Sequence, residues 1–294
     1  MKNVLITGSS GFIGTNIVAR IMSEKKLNPV CFDISLGNAD NIFQTIGPNY
    51  DKIDRVVHLG AISDKSCTDI SKLYEYNLNY SIRLLETAIK YDIPIINASS
   101  FSVYGNSGGY SYDCLDYYSL FKLAVDHWIE KQISKNPKTK VVSYRLPNVY
   151  GQYEGMKSQR TRSIVNNFIT QIAETGRIKV FNLYIRDCEH VYTTVERNFV
   201  CVDDVVTYML EPITENTHFG VVDFCEPDIT YNIVEVAKKI ANKFGYTNDV
   251  IDVVNPPDYI DTKTYQHRSV DVLSNASQFK YTTLYDWIDA LPVT

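Results

Sequence analysis

Short apolar runs alternate through the first half of the chain with segments whose apolar residues return every three or four positions. Val4, Leu5 and Ile6 lie in a run over residues 1–7 with the length of a buried strand, and Ile17, Val18 and Ile21 then take up helical spacing. Val30, Cys31 and Phe32 make a second run that ends at Asp33. Val56, Val57 and Leu59 make a third, over 55–61, that ends in Gly60 and Ala61. The spacing predicts a helix over 73–91 (Leu73, Tyr76, Leu84, Leu85, Ala88), a strand over 93–100, a helix over 117–129 and a strand over 141–146. The stretch 36–54, polar and broken by Gly37, Gly47 and Pro48, is too short for helix, strand and helix. One peripheral element is therefore expected to be reduced or missing.

Beyond Pro147 the alternation loosens. A polar loop over 151–158 precedes a helix over 163–175, and residues 182–197 read as a polar, tyrosine-rich insertion. Strands are expected at 198–203 and 219–224, separated by a helix carrying Val205, Val206, Met209 and Leu210. Helices follow at 233–244 and 284–290, with a polar tail segment after Pro256-Pro257 and through Arg268. Strand–helix–strand order through residue 146 predicts an α/β fold with a Rossmann-like, doubly wound parallel sheet. Residues 1–147 form this domain, with about 198–224 returning to its sheet. Residues 148–197 and 225–294 form a smaller, discontinuous C-terminal α/β domain for substrate.

Composition narrows the possibilities. With 45% apolar and 21% charged residues in 294, the chain reads as a soluble globular protein. A formal net charge of −5, without a basic stripe, speaks against nucleic acid. No apolar run is long enough to span a bilayer, and the first strand leaves no room for a signal peptide, so a cytoplasmic protein is expected. The six cysteines are scattered without a C-x-x-C pair, which favours reduced thiols over a disulfide framework or a metal site.

The chemistry begins where the first strand meets the first helix. Gly8, Gly11 and Gly14 make a turn that suits a pyrophosphate. The first permits the sharp turn, the second admits the phosphates to the backbone, and the third lets helix and strand pack closely. The amides and positive dipole end of the helix attract the anion. Phe12 and Ile13 share this turn, and Leu59 and Ala61 end the neighbouring strand where a dinucleotide passes. Asp33 lies about 20 residues beyond the glycines, where an acid accepts from the adenosine ribose hydroxyls. It favours NAD over NADP, because an anion repels a 2′-phosphate and no Arg or Lys follows in 34–41. His58 reads as a histidine fixed by hydrogen bonds inside its strand rather than as a base.

Tyr118 and Lys122 stand one helical turn apart. Tyrosine ordinarily titrates near 10. A neighbouring ammonium and the positive nicotinamide ring both favour the phenolate, which makes Tyr118 a base for a carbinol proton. Ser100, at the end of the neighbouring strand, hydrogen-bonds the same oxygen. In a chain with 22 tyrosines this spacing alone is weak. Its place after the glycine turn, Asp33 and Ser100 makes it specific.

Taken together, Thr7-Gly8-x-x-Gly11-Phe12-Ile13-Gly14, Asp33, His58-Leu59-Gly60-Ala61, Ser99-Ser100-x-x-Val103-Tyr104-Gly105, Tyr118-x-x-x-Lys122 and Arg145-x-x-Asn148-Val149-Tyr150-Gly151 resemble the extended short-chain dehydrogenase/reductases. This group includes NAD-dependent nucleotide-sugar epimerases and dehydratases. The resemblance implies Tyr118, Lys122 and Ser100 as the catalytic set, with Lys122 also on the nicotinamide ribose. It implies a nucleoside-diphosphate sugar under the C-terminal domain, with Asn148 among its contacts. Sugar 4,6-dehydratases carry an Asp-Glu pair where this chain has Phe101 and Ser102, so dehydration is not expected.

Residues 148–158 are similar to those of ADP-glyceromanno-heptose 6-epimerases, although Gln152 replaces the usual proline. That likeness implies Lys157 as a second acid/base, Arg197 on the phosphate side, and Tyr265 among the substrate contacts. Arg268 is either a diphosphate contact or the partner of Asp261 or Asp271. Members of that group usually take NADP, and Asp33 alone leaves NADP open. The leading expectation is an epimerase that oxidises a sugar carbinol transiently and returns hydride to the opposite face. The alternatives are a net dehydrogenase or reductase on the same substrate class and a non-catalytic NAD-binding scaffold. A homodimer is expected through the helices near 73–91 and 118–131, since Leu120, Phe121, Ala124, Val125, Trp128 and Ile129 make a broad apolar surface.

Overall fold

The computed structural model describes residues 1–64, 67–105, 111–158, 161–181, 196–214, 217–226, 229–254 and 279–292. In chain order, β1 (Asn3–Thr7), α1 (Phe12–Glu24), β2 (Asn28–Phe32), α2 (Asn41–Asn49), β3 (Ile53–His58), α3 (Ile70–Leu73), α4 (Tyr80–Lys90), β4 (Ile95–Ser100), α5 (Tyr117–Lys135) and β5 (Val141–Leu146) make up the first half. After them come β6 (Asn148–Tyr150), α6 (Ile164–Thr175), β7 (Ile178–Phe181), β8 (Glu196–Arg197), β9 (Phe199–Cys201), α7 (Val202–Leu210), β10 (Gly220–Asp223), β11 (Tyr231–Asn232), α8 (Ile233–Lys243), β12 (Ile251–Val254) and α9 (Leu284–Asp289).

Six parallel strands form the main sheet in the order β10-β5-β4-β3-β1-β2. Their apolar runs are continuous because both faces are covered, and period-two alternation sorts the side chains. Val4, Ile6, Val57, Ile96 and Val142 face α1 and α7, while Leu5, Val56, Ile95 and Val141 face α2, α4 and α5. The chain leaves β1 toward β2 on one side and reaches β3 on the other, so the β1/β3 boundary is the topological switch point where α/β sheets hold ligands. In the register, Thr7 lies opposite both Phe32 and His58, and Ser100 opposite Leu146. The residues that follow these strands therefore meet at one edge.

The reduced segment after β2 consists of α2 with two short 3-10 turns, and no strand lies between β2 and β3. The helix expected at 73–91 begins earlier, at Ile70, where the Asp69 carboxylate accepts from the amide of Lys72. It runs through a π-helical stretch, Tyr74–Asn79, before α4.

One expectation is corrected. Residues 199–201 do not join the main sheet but pair in parallel with β6, Asn148 opposite Phe199. The open side of β5 is already taken by β10, with Gly220 opposite Val142, so β9 pairs with the chain's continuation beyond Pro147. Strand β10 returns to the sheet as expected, and α7 packs on α1. A second core, separate from the sheet, gathers Val165, Phe168 and Ile172 of α6 with Val236, Ile240 and Ala241 of α8, Leu284 and Ile288 of α9, and Tyr150. Most of the expected insertion (182–195) and the tail over 255–278 lie outside the described residues.

Candidate active site

A cavity of about 620 Å³ opens at the carboxyl ends of the main-sheet strands. The glycine turn forms its floor. Gly8 has φ +66°, and a Cβ there would come within 2.8 Å of the Gly60 amide nitrogen. A Cβ on Gly14 would come within 2.3 Å of the Gly8 carbonyl oxygen, so the third glycine is what allows α1 to start against the turn. Gly11 is the N-cap of α1 and brings no side-chain acceptor to the helix's first amides, while Phe12, Ile13 and Gly14 line the cavity. Those amides fit a pyrophosphate.

Two polar side chains brace this floor. The Thr7 hydroxyl accepts from the amides of Leu59 and Gly60 at 3.2 and 3.1 Å and lies 2.7 Å from His58 Nδ1. His58 Nε2 lies 2.9 Å from Ser81 Oγ, which in turn donates to the Asn77 carbonyl. Burial pushes the His58 imidazole down to about 3, with the nearby Lys122 charge acting in the same direction. His58 is thus a neutral brace, in agreement with the reading of a histidine fixed within its strand.

Asp33 accepts from the amide of Ser10 at 3.0 Å and from the amide and hydroxyl of Ser35 at 2.9 and 2.8 Å. It therefore ties the glycine turn to the end of β2. A carboxylate has about four acceptor sites, so capacity remains for a ribose hydroxyl.

On the opposite wall, α5 starts where Asp116 caps the amide of Ser119 at 2.7 Å, and this sets the rotation of the helix. Tyr118, Lys122 and Ser100 all reach the cavity. Lys122 Nζ lies 5.9 Å from the Tyr118 ring centroid and donates to the Ala98 carbonyl at 2.6 Å. Burial lowers the Lys122 ammonium to about 8, against the opposing pull of Asp126. Ser100 Oγ accepts from the amide of Ser102 at 3.2 Å, so its orientation is fixed by the turn that leaves β4.

Beneath this set lies a buried network absent from the sequence reading. The fully buried Asp126, one turn beyond Lys122, accepts from Ser99 Oγ (2.8 Å), Ser143 Oγ (2.7 Å) and Arg145 Nε (2.8 Å). Arg145 also donates to the hydroxyls of Tyr104 (2.9 Å) and Tyr112 (3.0 Å), and Tyr104 donates to Asp223. Asp126 thereby joins α5, which carries Lys122, to β5 and to β4, which carries Ser100. Its signal was a carboxylate four residues after Lys122, matched by an arginine inside an apolar strand.

The third wall comes from beyond β5. Asn148, Lys157, Thr161, Arg162 and Ser163 line it. Asn148 Nδ2 donates to the Asn198 carbonyl at 3.1 Å. Lys157 Nζ lies 3.9 Å from the buried Glu154 and 5.5 Å from the Phe12 ring centroid, and burial lowers its ammonium against the pull of Glu154. Arg197, on β8, is not among the residues lining the cavity, and its Nη1 donates to the Glu196 carbonyl. Tyr265 and Arg268 lie outside the described residues.

A glycine turn at the switch point and a Ser/Tyr/Lys set facing it across one cavity define a dinucleotide-dependent enzyme of the short-chain dehydrogenase/reductase type. The chain belongs to the NAD dependent epimerase/dehydratase family, whose model matches residues 4–233. It is 28% identical, over 92% of its own length and 89% of the relative's, to an ADP-L-glycero-D-manno-heptose-6-epimerase of Brachyspira hyodysenteriae. The fold is shared with the Helicobacter pylori ADP-L-glycero-D-manno-heptose-6-epimerase, with a TM-score of 0.76, 21% identity, and 98% of this chain and 93% of that one covered. It is shared too with the UDP-N-acetylglucosamine 4-epimerase of Methanobrevibacter ruminantium, with a TM-score of 0.78, 18% identity, and coverages of 98% and 96%.

Proposed function

We propose that this protein is an NAD-dependent nucleotide-sugar epimerase in which Tyr118, Lys122 and Ser100 carry the proton chemistry. The observation that carries the reading is that these three side chains share one cavity with the glycine turn and Asp33. Bound NAD supplies the hydride acceptor and, later in the cycle, the hydride donor. Tyr118 takes the proton from the sugar hydroxyl, Ser100 hydrogen-bonds the same oxygen, and the Lys122 charge favours the phenolate. The resulting ketone turns within the cavity and is reduced from its other face, with Lys157 as a second proton donor. Phe101 and Ser102 are both buried and offer no carboxyl group for removing water.

The heptose 6-epimerase type of reaction is favoured by Lys157, which reaches the cavity beside Phe12. The residues around 148–197 and 225–294 then serve as the substrate domain. Incubation with NAD and a panel of nucleotide sugars, ADP-heptoses included, is expected to yield a stereoisomer by NMR with no net absorbance change at 340 nm. A stoichiometric change at 340 nm with no isomer would move the assignment to a net oxidoreductase.

The kcat profile is expected to change slope near pH 8, where the Lys122 ammonium that favours the phenolate begins to titrate. A kcat profile flat from pH 7 to 10 would remove Lys122 from this role.

The enzyme is proposed to act as a cytoplasmic homodimer. Of the apolar surface expected on α5, Phe121, Val125 and Ile129 are buried within the chain's own core. Leu120 is exposed together with Ile70, Tyr74 and Tyr117 on the adjoining α3–α4 and α5 helices, a smaller apolar surface suited to a second copy. Five free cysteines among the described residues fit a reducing compartment. Light scattering at micromolar concentration is expected to give twice the chain mass, and a monomer mass would overturn the dimer.

A further inference from the structure

We propose that Arg162 is a diphosphate-binding residue of the cavity, a role that deepens the nucleotide-sugar reading and rests on it. Among the described residues the lining carries three cations, Lys122, Lys157 and Arg162, and one carboxylate, Asp33. Two of these cations already have acids near them. Asp126 acts on Lys122, and Glu154 lies 3.9 Å from Lys157. Arg162 pairs with no carboxylate among the described residues. Its guanidinium is instead held by backbone carbonyls, Nε donating to Lys157 at 3.0 Å and Nη2 to Gly155 at 2.6 Å.

Carbonyls orient a guanidinium without neutralising it. Two of its five donor hydrogens are used in this way and the others remain for a ligand. A planar fork fixed at a cavity wall, with no carboxylate paired to it among the described residues, suits a phosphate group, which it can bind with two parallel hydrogen bonds. The formal net charge of −5 sharpens the point, because the field of the protein as a whole does not attract anions and local cations must hold them. The tether to residues 155 and 157 also couples anion binding to the loop that carries Lys157.

Both a dinucleotide cofactor and a nucleotide sugar contain this diphosphate, and separate titrations distinguish them. One arm measures NAD⁺ binding to the protein, and the other measures ADP, UDP, GDP and dTDP binding to NAD-loaded protein. Arg162→Gln is expected to weaken binding about tenfold to a hundredfold in the arm whose diphosphate it holds. Arg162→Lys keeps the charge but neither the planar fork nor both carbonyl tethers, and is expected to recover only part of the loss. The salt dependence of binding is expected to flatten in Arg162→Gln only.

Unchanged affinity in both arms would overturn the proposal, including the case in which no nucleoside diphosphate binds. Equal losses in Arg162→Gln and Arg162→Lys would overturn it too, because they would make the residue a loop tether. No turnover is needed in either arm, so failure of the epimerase assay and failure of this proposal are read separately.

Discussion

Replacing Tyr118 by Phe is expected to lower epimerase turnover by about 10²–10⁴-fold while the protein stays folded and retains NAD. The change removes one hydroxyl from a half-buried side chain at the cavity wall, and the ring that packs in the first turn of α5 remains. Lys122 keeps its bond to the Ala98 carbonyl, and the glycine turn and Asp33 are untouched. What disappears is the group that exchanges a proton with the sugar hydroxyl. Turnover measured by NMR, with cofactor content measured by mass spectrometry of released small molecules, separates the two effects. Undiminished turnover in Tyr118→Phe would remove the phenol from the mechanism. Loss of bound NAD in parallel would make the residue a binding group first.

Asp126→Ala is expected to destabilise the fold by about 3–5 kcal/mol, the usual result of stripping one partner from a buried ion pair. Three donors, Ser99 Oγ, Ser143 Oγ and Arg145 Nε, lose their acceptor at once, and the Arg145 charge stays in the interior. By contrast, Lys140→Ala, which breaks the pair to the exposed Asp92, is expected to cost no more than about 1 kcal/mol. Urea denaturation of both variants checks the contrast. An Asp126→Ala loss as small as that of Lys140→Ala would show that the network beneath the site does not hold α5 to the sheet. The pH dependence of stability has a definite sign at Lys122. Its ammonium is held below the ordinary 10.5, so the cost of burying the charge is complete below about pH 8 and is relieved as pH rises from there toward 10.5.

The parts of the site legible in the sequence are those built by neighbours along the chain. Gly8, Gly11 and Gly14 identify a strand-to-helix turn because their spacing imposes one backbone path, and the contacts awaiting a Cβ at Gly8 and Gly14 show why. Tyr118 and Lys122 share a face because helical geometry requires it, and Ser100 ends a strand because its apolar run ends there. The alternating runs likewise determined a parallel sheet covered on both faces, and α/β geometry brought the strand ends to one edge.

Other features depended on contacts between distant residues. Whether β9 would join the main sheet was decided by β10, which took the free side of β5 and left residues 199–201 to pair with β6. Asp126 and Arg145 read as a helical carboxylate and a strand arginine until the packing of α5 on β4 and β5 brought them within 2.8 Å. Arg162 carried no signal at all, and only the fold sets its guanidinium at the cavity wall between two backbone carbonyls. Backbone geometry propagates locally, so the sequence by itself determined the turn, the helix faces and the strand ends. Competition for a sheet edge and the pairing of buried charges are settled across long sequence separations, and only the tertiary structure decided them.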